Sequence, residues 1–298
     1  MNKPEIWVDG KFVEWGRATV HVLSHSLQRG STVFESLNCR ETDKGPAIFR
    51  LDAHVDRFVE SARLTKMQIP FSREELVEAT TETVKRSGCT RCCIRPLAYY
   101  AGEELQVVPK QSAVQVIIAV APPLEPPDAV RAKVSSVRKL HPDTAPVAAK
   151  VAGNYLSSML AKREAIEDGF DDAILLDSLG NVAECPTESL FIVKDGAVKT
   201  PPLGTVLAGI TRDSVIQVAA DIGCQVAETT ISVDELHHAD EIFLTCTSGG
   251  AVPIVQLDGR EVGNGQVGET TLSLGTAYLN AATGKNPKYE HWLTYVRQ

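Results

Sequence analysis

A lysine near the middle of the chain has the neighbours that chemistry on an amine would need. Lys150 follows two alanines, and Gly153 and a helical pattern come shortly after it. Small neighbours leave room for a bulky group, and a lysine in such a pocket can lose its proton and form a Schiff base with a carbonyl. The alternative is a surface lysine before an ordinary helix, which is the commoner situation. Other segments of the sequence decide between the two interpretations.

Two further segments could hold an anion. Residues 209–211 (Gly-Ile-Thr) open a predicted helix, whose first N–H groups and dipole attract a phosphate. Residues 245–250 (Thr-Cys-Thr-Ser-Gly-Gly) follow a predicted strand and offer hydroxyls and glycines as a second side of such a site. Arg57, in a predicted helix, could supply the countercharge. Each feature also has an ordinary interpretation, as a helix N-cap, a turn or a surface ion pair.

Glu184 is a candidate partner for a protonated nitrogen. It stands between Val182-Ala183 and Cys185-Pro186, an apolar setting in which an unpaired carboxylate is costly. The alternative is a glutamate in a solvated turn. A lysine nucleophile, a phosphate site and a carboxylate for a ring nitrogen together describe a site for pyridoxal 5′-phosphate, which serves as an electron sink.

The predicted elements that carry these residues include both strands and helices. Residues 6–13 predict a hairpin around Asp9-Gly10. Residues 31–40 predict a strand with Phe34, Ser36, Asn38 and Arg40 on one face, which could line a pocket or face solvent. Residues 51–64 predict a helix, and a capping box at 72–75 starts a second one that ends near residue 88. In the buried strand predicted at 92–99, Arg95 needs a partner or a ligand.

A proline-rich segment divides the sequence. Prolines at 122–128 cannot join a sheet, so we predict an interdomain linker there, a small domain at 1–121 and a larger one at 129–298 that carries Lys150. Strands and helices mix without regular β-α-β alternation, and no glycine-rich dinucleotide or P-loop motif is present. The predicted class is α+β, or mixed α/β, in two domains.

Composition excludes several classes of partner. A net charge of -8 gives no electrostatic case for nucleic acid or an anionic membrane. No apolar run reaches the length of a spanning helix, and the start lacks the apolar core of a signal peptide, so we expect a cytoplasmic protein. Of seven cysteines, Cys89 and Cys92 have the spacing of a metal or redox pair. No second pair accompanies them, so we expect free thiols and no metal.

Several motifs resemble those of fold-type IV (class IV) pyridoxal-phosphate aminotransferases, and most of all the branched-chain amino acid aminotransferases. The resemblance runs from about Ile6 to the last helix. Its most specific motifs are His21-Val-Leu-Ser-His25, Gly30-Ser-Thr-Val-Phe-Glu35, Ile94-Arg-Pro-Leu97, the run from Ala148 to Ser158, Glu184 with Glu188-Ser-Leu-Phe191, and Gly209-Ile-Thr-Arg212.

The resemblance implies a fold, a cofactor and residue roles. The fold is a small α/β domain and a larger pseudo-barrel domain, with pyridoxal 5′-phosphate between them and a homodimer or higher homo-oligomer as the working unit. Lys150 forms the internal aldimine and moves the proton between substrate and cofactor. Tyr155 hydrogen-bonds the cofactor's phenolic oxygen, and Glu184 keeps the pyridine nitrogen protonated. The positions that match phosphate ligands are Arg57, Ile210, Thr211, Thr247 and Ser248.

The departures from the family pattern lie among the predicted substrate residues Arg29, Phe34, Ser36, Asn38 and Arg95. Branched-chain enzymes usually have tyrosine at Arg29, glycine at Ser36 and a basic residue at Asn38. Residues 101–106 also lack the usual glycine-rich form. Arg95 matches and favours a substrate carboxylate. Arg29 is a second carboxylate anchor, a device for another donor, or a surface arginine.

We therefore expect a transaminase that passes an amino group from a branched-chain L-amino acid to a 2-oxo acid such as 2-oxoglutarate. The mechanism is ping-pong through the Lys150 aldimine. A D-amino acid or (R)-amine transaminase of the same fold is the nearest alternative. More remote are a lyase like aminodeoxychorismate lyase and a non-catalytic protein that binds the cofactor.

Overall fold

The chain forms two compact units in this computed structural model, which describes residues 3–296. Unit 1 takes its described residues from Met1–Leu124, Ala149–Gly153 and Ala282–Gln298. Unit 2 consists of Glu125–Ala148 and Asn154–Ala281.

The secondary structure mixes helices and strands along the whole chain. The α-helices are α1 His25–Arg29, α2 Leu51–Leu64, α3 Arg73–Ser87, α4 Tyr155–Glu167, α5 Ile210–Asp221, α6 Val233–His237 and α7 Glu269–Ala282. The 3-10 helices are Trp15–Arg17, Ala152–Asn154 and Pro287–Trp292. The strands are β1 Ile6–Val8, β2 Lys11–Val13, β3 Val33–Phe34, β4 Leu37–Arg40, β5 Ala47–Phe49, β6 Cys92–Tyr100, β7 Val114–Ala121, β8 Val130–Arg138, β9 Asp172–Leu176, β10 Val182–Glu184, β11 Ser189–Lys194, β12 Ala197–Thr200, β13 Val226–Glu228, β14 Glu241–Cys246, β15 Gly250–Leu257, β16 Arg260–Glu261 and β17 Leu293–Tyr295.

Unit 1 is an antiparallel sheet covered by two helices. The strand order is β17-β5-β4-β6-β7-β1-β2, and β3 also pairs with β6. Apolar residues of α2 and α3, such as Phe58 and Leu76, share one buried cluster with Ile94 and Ile118 of the sheet. Burial of this helix face, with residues spaced three and four apart, accounts for the position of α2 and α3 on the sheet.

Unit 2 is a sheet that closes on itself. Its order is β10-β9-β8-β15-β14-β11-β12-β13, with β16 on β15, and β10 also pairs with β11. That last pairing joins β10, β9, β8, β15, β14 and β11 into a ring. Closure satisfies the strand edges that would otherwise be exposed. The ring agrees with the expected pseudo-barrel, and the mixed α+β class is confirmed.

Most of the predicted elements are confirmed. The hairpin turns at Asp9 and Gly10, both at positive φ, and α2 has the predicted bounds. Ser72 and Glu75 form the capping box of α3, and Gly88 ends that helix in the left-handed conformation. The strand predicted at 31–40 is divided into β3 and β4. Pro96 lies opposite the gap and has no N–H to donate to the ladder.

The two units differ from the predicted domains in two places. Ala149–Gly153 groups with unit 1 because Val151 bridges Val33. The C-terminal segment groups with unit 1 because β17 pairs with β5. The sequence places both segments in the 129–298 domain, because local patterns cannot reveal pairing between strands that are far apart in the chain.

Among residues 3–296, no helix is both long and apolar enough to span a membrane.

Candidate active site

Lys150 lies on an extended segment that is held on both sides within unit 1. Its backbone N–H donates to Ser61 Oγ on α2 (3.0 Å), and its carbonyl accepts from the N–H of Phe34 (3.0 Å). The next residue, Val151, forms an antiparallel bridge with Val33. The lysine is only 8% exposed. This burial excludes the alternative of an ordinary surface lysine.

The segment after Lys150 packs backbone against backbone. Gly153 N donates to the carbonyl oxygen of Gly30 at 2.8 Å, and a Cβ on Gly153 would lie 3.1 Å from the same oxygen. Gly30 ends α1 with a φ of 68°, a left-handed conformation that favours glycine. Glycine at both positions allows this close approach, which fixes the course of the chain just beyond the lysine.

The ring of Phe34 has two cationic side chains near it. Lys150 Nζ lies 4.9 Å from the ring centroid, and Arg95 Cζ lies 5.5 Å from it. Both distances fall within the range of cation–π attraction. The structure therefore brings together three predicted site residues: the lysine, the aromatic residue and the arginine expected to bind a carboxylate.

Arg57 is held by a carboxylate that the sequence alone did not single out. Its Nε donates to Glu35 Oε1 at 2.6 Å, and its Nη2 donates to Oε2 at 2.8 Å. His54 Nδ1 lies 2.7 Å from Glu35 Oε2, and the Glu35 side chain is fully buried. The signal in the sequence was a glutamate on the apolar face of the predicted strand, alternating with Val33, Leu37 and Cys39.

The pKa values of this cluster follow from burial and charge. Burial raises the pKa of Glu35, but the charges and hydrogen bonds of Arg57 and His54 outweigh that effect and hold the net pKa far below the ordinary value. Burial also lowers the pKa of His54, and the cations Arg57 and Lys150 lower it further against the opposing effect of Glu35. An ionised Glu35 only accepts hydrogen bonds, so His54 must carry a proton on Nδ1.

The remaining predicted substrate residues also lie in unit 1. Ser36 Oγ is 3.6 Å from Cys93 Sγ, and buried Asn38 lies opposite Cys93 in the β4–β6 ladder. Arg29 is exposed, and its Nη2 donates to the carbonyl of Leu105 at 3.0 Å. Arg29 therefore contacts the 101–106 segment.

In unit 2, Glu184 lies where the strand ring closes, opposite Ser189 of β11. It is buried, and its Oε1 forms an ion pair with Lys139 Nζ. Its Oε2 accepts from the N–H of Leu207 at 3.1 Å. Lys139 could not be recognised from the sequence, because it is 45 residues away from Glu184 and meets it through the strands of the ring.

The N-terminus of α5 lies against the sheet of unit 2 beside Ser189, the residue opposite Glu184. Gly209 is the N-cap, and no side chain caps the helix there. A Cβ on Gly209 would lie 2.7 Å from Ser189 Oγ, which shows how closely this N-terminus approaches β11. Ile210 and Thr211 form the first turn and are both buried. Their backbone N–H groups belong to the set that a helix leaves without an internal acceptor.

Two residues with hydroxyl side chains, Ser189 and Thr245, follow Glu184 across neighbouring strands of the sheet. Ser189 lies opposite Thr245 of β14, so the side chains of Glu184, Ser189 and Thr245 share one face. Thr245 Oγ1 is buried and has no hydrogen-bond partner within residues 3–296. Thr247 and Ser248 form the turn that follows, where Cys246 Sγ accepts from the N–H of Gly249 at 3.4 Å.

Tyr155 also belongs to unit 2. It is half-buried and is the first residue of α4. In the preceding residue, the side-chain amide of Asn154 donates to the carbonyl of Pro146 at 3.2 Å and thus holds the start of the helix.

The seven cysteines are free thiols. Cys92 lies opposite Cys39 in the β4–β6 ladder, in the core of unit 1. Within the described range 3–296, no cluster of three or more histidine, cysteine or acidic side chains has the arrangement of a metal site.

Comparisons with known proteins agree on one family. Residues 32–257 match the family described as amino-transferase class IV. A branched-chain-amino-acid aminotransferase of Pseudomonas aeruginosa is 39% identical over 300 residues, which cover 98% of this chain and 97% of the relative. The structure of the T.th. branched-chain amino acid aminotransferase complexed with N-(5′-phosphopyridoxyl)-L-glutamate is 43% identical, with a TM-score of 0.95 and full coverage of both chains. The same enzyme with pyridoxamine 5′-phosphate is 42% identical, with a TM-score of 0.96 and full coverage of both chains.

Proposed function

The chain belongs to the class IV aminotransferase family, and from this premise we propose that it transfers the amino group of a branched-chain L-amino acid to a 2-oxo acid such as 2-oxoglutarate. It is a pyridoxal-phosphate-dependent enzyme. The observation that carries the choice of donor is full-length similarity to relatives whose names specify branched-chain amino acids. That similarity does not favour a D-amino acid or (R)-amine donor.

The donor set fits a phosphorylated pyridine aldehyde. Lys150 offers a buried amine, the first turn of α5 offers uncapped N–H groups, and Thr245 offers a buried hydroxyl without a partner among residues 3–296. When bound, the cofactor supplies the electron sink for loss of the substrate's α-proton. Lys150 would hold the cofactor and move that proton.

Further predicted site residues would hold the cofactor's other groups. Glu184 would accept a hydrogen bond from the pyridine nitrogen, since a carboxylate has about four acceptor sites and Lys139 and Leu207 each occupy one. Tyr155 would donate to the phenolic oxygen. The phosphate would take N–H and hydroxyl donors and a guanidinium, from Arg57, Ile210, Thr211, Thr247 and Ser248.

Unit 1 would bind the substrate. Arg95 would pair with its carboxylate, and Phe34 would cover the reacting centre beside Lys150. Ser36 and Asn38 would shape the pocket for the side chain. Arg29 would act through the segment that carries Leu105 rather than as a direct anchor.

We further propose a homodimer or higher homo-oligomer in the cytoplasm. Apolar side chains are exposed around α1 and the segment it contacts, including Val22, Leu27, Leu105 and Val107. The His25 ring lies 2.9 Å from the carbonyl of Val107 and holds the two parts together. Such a patch fits burial against a second copy. Light scattering on Val107→Glu should show a smaller species than the wild type, and an unchanged mass would argue against this face.

A spectral scan of the half-reaction tests the donor. L-leucine should convert the bound cofactor to its amine form, whereas D-alanine and (R)-1-phenylethylamine should not. Turnover of either of these donors with no response to L-leucine would refute the choice. Release of pyruvate without an oxo-acid acceptor would favour a lyase, and a cofactor spectrum that no amine changes would favour a non-catalytic protein. Borohydride reduction and peptide mapping should find the cofactor on Lys150 and on no other lysine.

A further inference from the structure

One face of α2 contacts two other parts of unit 1, the Glu35 carboxylate and the segment that carries Lys150. His54, Arg57 and Ser61 are spaced three and four residues apart, so they lie on the same side of the helix. His54 and Arg57 contact the carboxylate of Glu35, and Ser61 Oγ accepts from the backbone N–H of Lys150. The same helix face therefore fixes a carboxylate and the segment that carries the lysine.

Glu35 has no capacity left for a ligand. Its two oxygens accept from Arg57 Nε, Arg57 Nη2, His54 Nδ1 and the N–H of Ser36, the last at 3.2 Å. Three of these donors are on Oε2 and one, Arg57 Nε, is on Oε1, so groups of the protein already occupy both oxygens. The side chain is also 0% exposed. Any effect of Glu35 on a bound molecule must therefore pass through the groups that it holds.

The contact orients Arg57 from one edge. The Nε–Nη2 edge of the guanidinium faces Glu35, so Nη1 lies on the other side of the group. The Arg57 side chain is 13% exposed, whereas the Glu35 side chain that holds it is fully buried. A buried ion pair contributes little net stability compared with apolar packing, so stability alone is a weak reason for this one.

We propose that Glu35, itself oriented by His54, is a positioning residue that fixes the guanidinium of Arg57 for the phosphate of the cofactor. The inference rests on the proposed function, which assigns the phosphate to Arg57. A guanidinium held in advance loses less conformational freedom on binding, and its fixed fork matches phosphate geometry. Glu35 does not touch the cofactor.

The test separates the phosphate from the rest of the cofactor. Apoenzyme is titrated with pyridoxal 5′-phosphate and with pyridoxal. The dissociation constant of pyridoxal divided by that of pyridoxal 5′-phosphate is the ratio that measures the contribution of the phosphate. Glu35→Gln should reduce that ratio roughly 10- to 100-fold, by analogy with the loss of a partner that orients a metal ligand. Its affinity for pyridoxal should stay near the wild-type value.

Two outcomes with Glu35→Gln overturn the proposal. Removal of a negative charge would by itself strengthen phosphate binding, so an increased ratio means that charge matters and position does not. An equal loss for both ligands means that Glu35 supports the fold only. A wild-type ratio near one would instead refute the phosphate role of Arg57, and with it that part of the proposed function.

Control and coupled variants sharpen the result. Glu60→Gln removes the carboxylate of another bidentate pair on α2, with Arg63 at 2.6 Å, but on the exposed side, and should leave the ratio unchanged. Glu35→Gln combined with Arg57→Gln should match Arg57→Gln alone, because Glu35 acts through Arg57. Additive losses in the double variant would show that Glu35 does not act through Arg57.

Variants of His54 test the proposal independently, because they leave both Glu35 and Arg57 in the sequence. His54→Phe removes the Nδ1 donor and should lower the ratio in the same direction as Glu35→Gln, by a smaller factor. His54→Asn can present an amide N–H near the position of Nδ1 and should restore most of the ratio. Identical ratios in wild type and His54→Phe would refute the orienting role of His54. If Glu35→Gln does not fold, His54→Phe decides the proposal alone.

Discussion

Lys139 and Glu184 form a buried ion pair at the point where the strand ring of unit 2 closes. The two side chains are 10% and 8% exposed. The residues that flank Glu184 in sequence are apolar, so the ammonium provides the charge compensation that those neighbours cannot. Lys139 is thus as much a part of the candidate site as the carboxylate that the sequence singled out.

The first prediction concerns this pair. Lys139→Met leaves the Glu184 carboxylate buried without its cation and should lower the free energy of unfolding by about 3–5 kcal/mol. Lys139→Arg keeps the charge and should lose much less. Urea unfolding of the two variants measures the difference.

Lys194→Met is the matched control for Lys139→Met. Lys194 pairs with Asp240 at 2.9 Å, but both side chains are about half exposed. Loss of this pair should cost at most about 1 kcal/mol. Equal losses in Lys139→Met and Lys194→Met would show that Glu184 does not depend on Lys139 for its charge compensation.

The second prediction concerns the close approach of Gly153 and Gly30. A Cβ at Gly153 meets the carbonyl oxygen of Gly30 at 3.1 Å, so Gly153→Ala must displace one of two packed backbones. We expect a loss of about 1–3 kcal/mol in the free energy of unfolding, together with weaker retention of the cofactor on dialysis. Gly16→Ala is the control, because a Cβ at Gly16 meets no atom within 4 Å. A Gly153→Ala variant as stable as Gly16→Ala would mean that the two backbones can separate freely.

Local patterns in the sequence predicted much of the fold. The 3.6-residue spacing and the capping box identified α2 and α3, because these signals lie within a few residues of each other. The sequence could not reveal that β17 pairs with β5, or that β10 joins β11 to close a ring. Those pairings depend on contacts between segments far apart in the chain.

The candidate site shows the same limit. Lys150, Arg57 and Glu184 stand out by type and by neighbours, so the sequence could single out each of them as a candidate. Their partners Glu35 and Lys139 were missed, because the sequence near a charged residue does not show which distant residue it pairs with. A charged residue on an otherwise apolar strand face, such as Glu35, was the one usable sign.

The third prediction is a loss of stability in acid that depends on His54. The folded state holds the pKa of His54 below the ordinary value of 6.5, because burial and the cations Arg57 and Lys150 oppose protonation more than Glu35 favours it. The unfolded chain therefore binds the proton first as the pH falls. The contribution of neutral His54 to the free energy of unfolding is therefore complete above pH 6.5. It declines below that pH, by at most about 1.4 kcal/mol per pH unit.

Urea unfolding at about pH 7.5 and about pH 5 checks this window. The wild type should lose more stability between the two than His54→Phe, which has no ring proton to bind. Glu35 contributes a separate loss only at more acidic pH, below its ordinary value of 4.5, because its pKa in the folded state is lowered. Parallel declines in wild type and His54→Phe would show that His54 does not titrate differently in the two states.

The fourth prediction tests Arg95 as the partner of the substrate carboxylate. Arg95→Gln removes a charge-assisted hydrogen bond worth about 1.5–3 kcal/mol, so kcat/KM for L-leucine should fall roughly 10- to 100-fold. 3-Methylbutylamine, which is leucine without its carboxylate, should react equally slowly with wild type and Arg95→Gln. Arg17→Gln, a change at an exposed arginine of the same unit, should alter neither rate. A similar loss for both donors in Arg95→Gln would assign Arg95 to the packing of Phe34 rather than to the carboxylate.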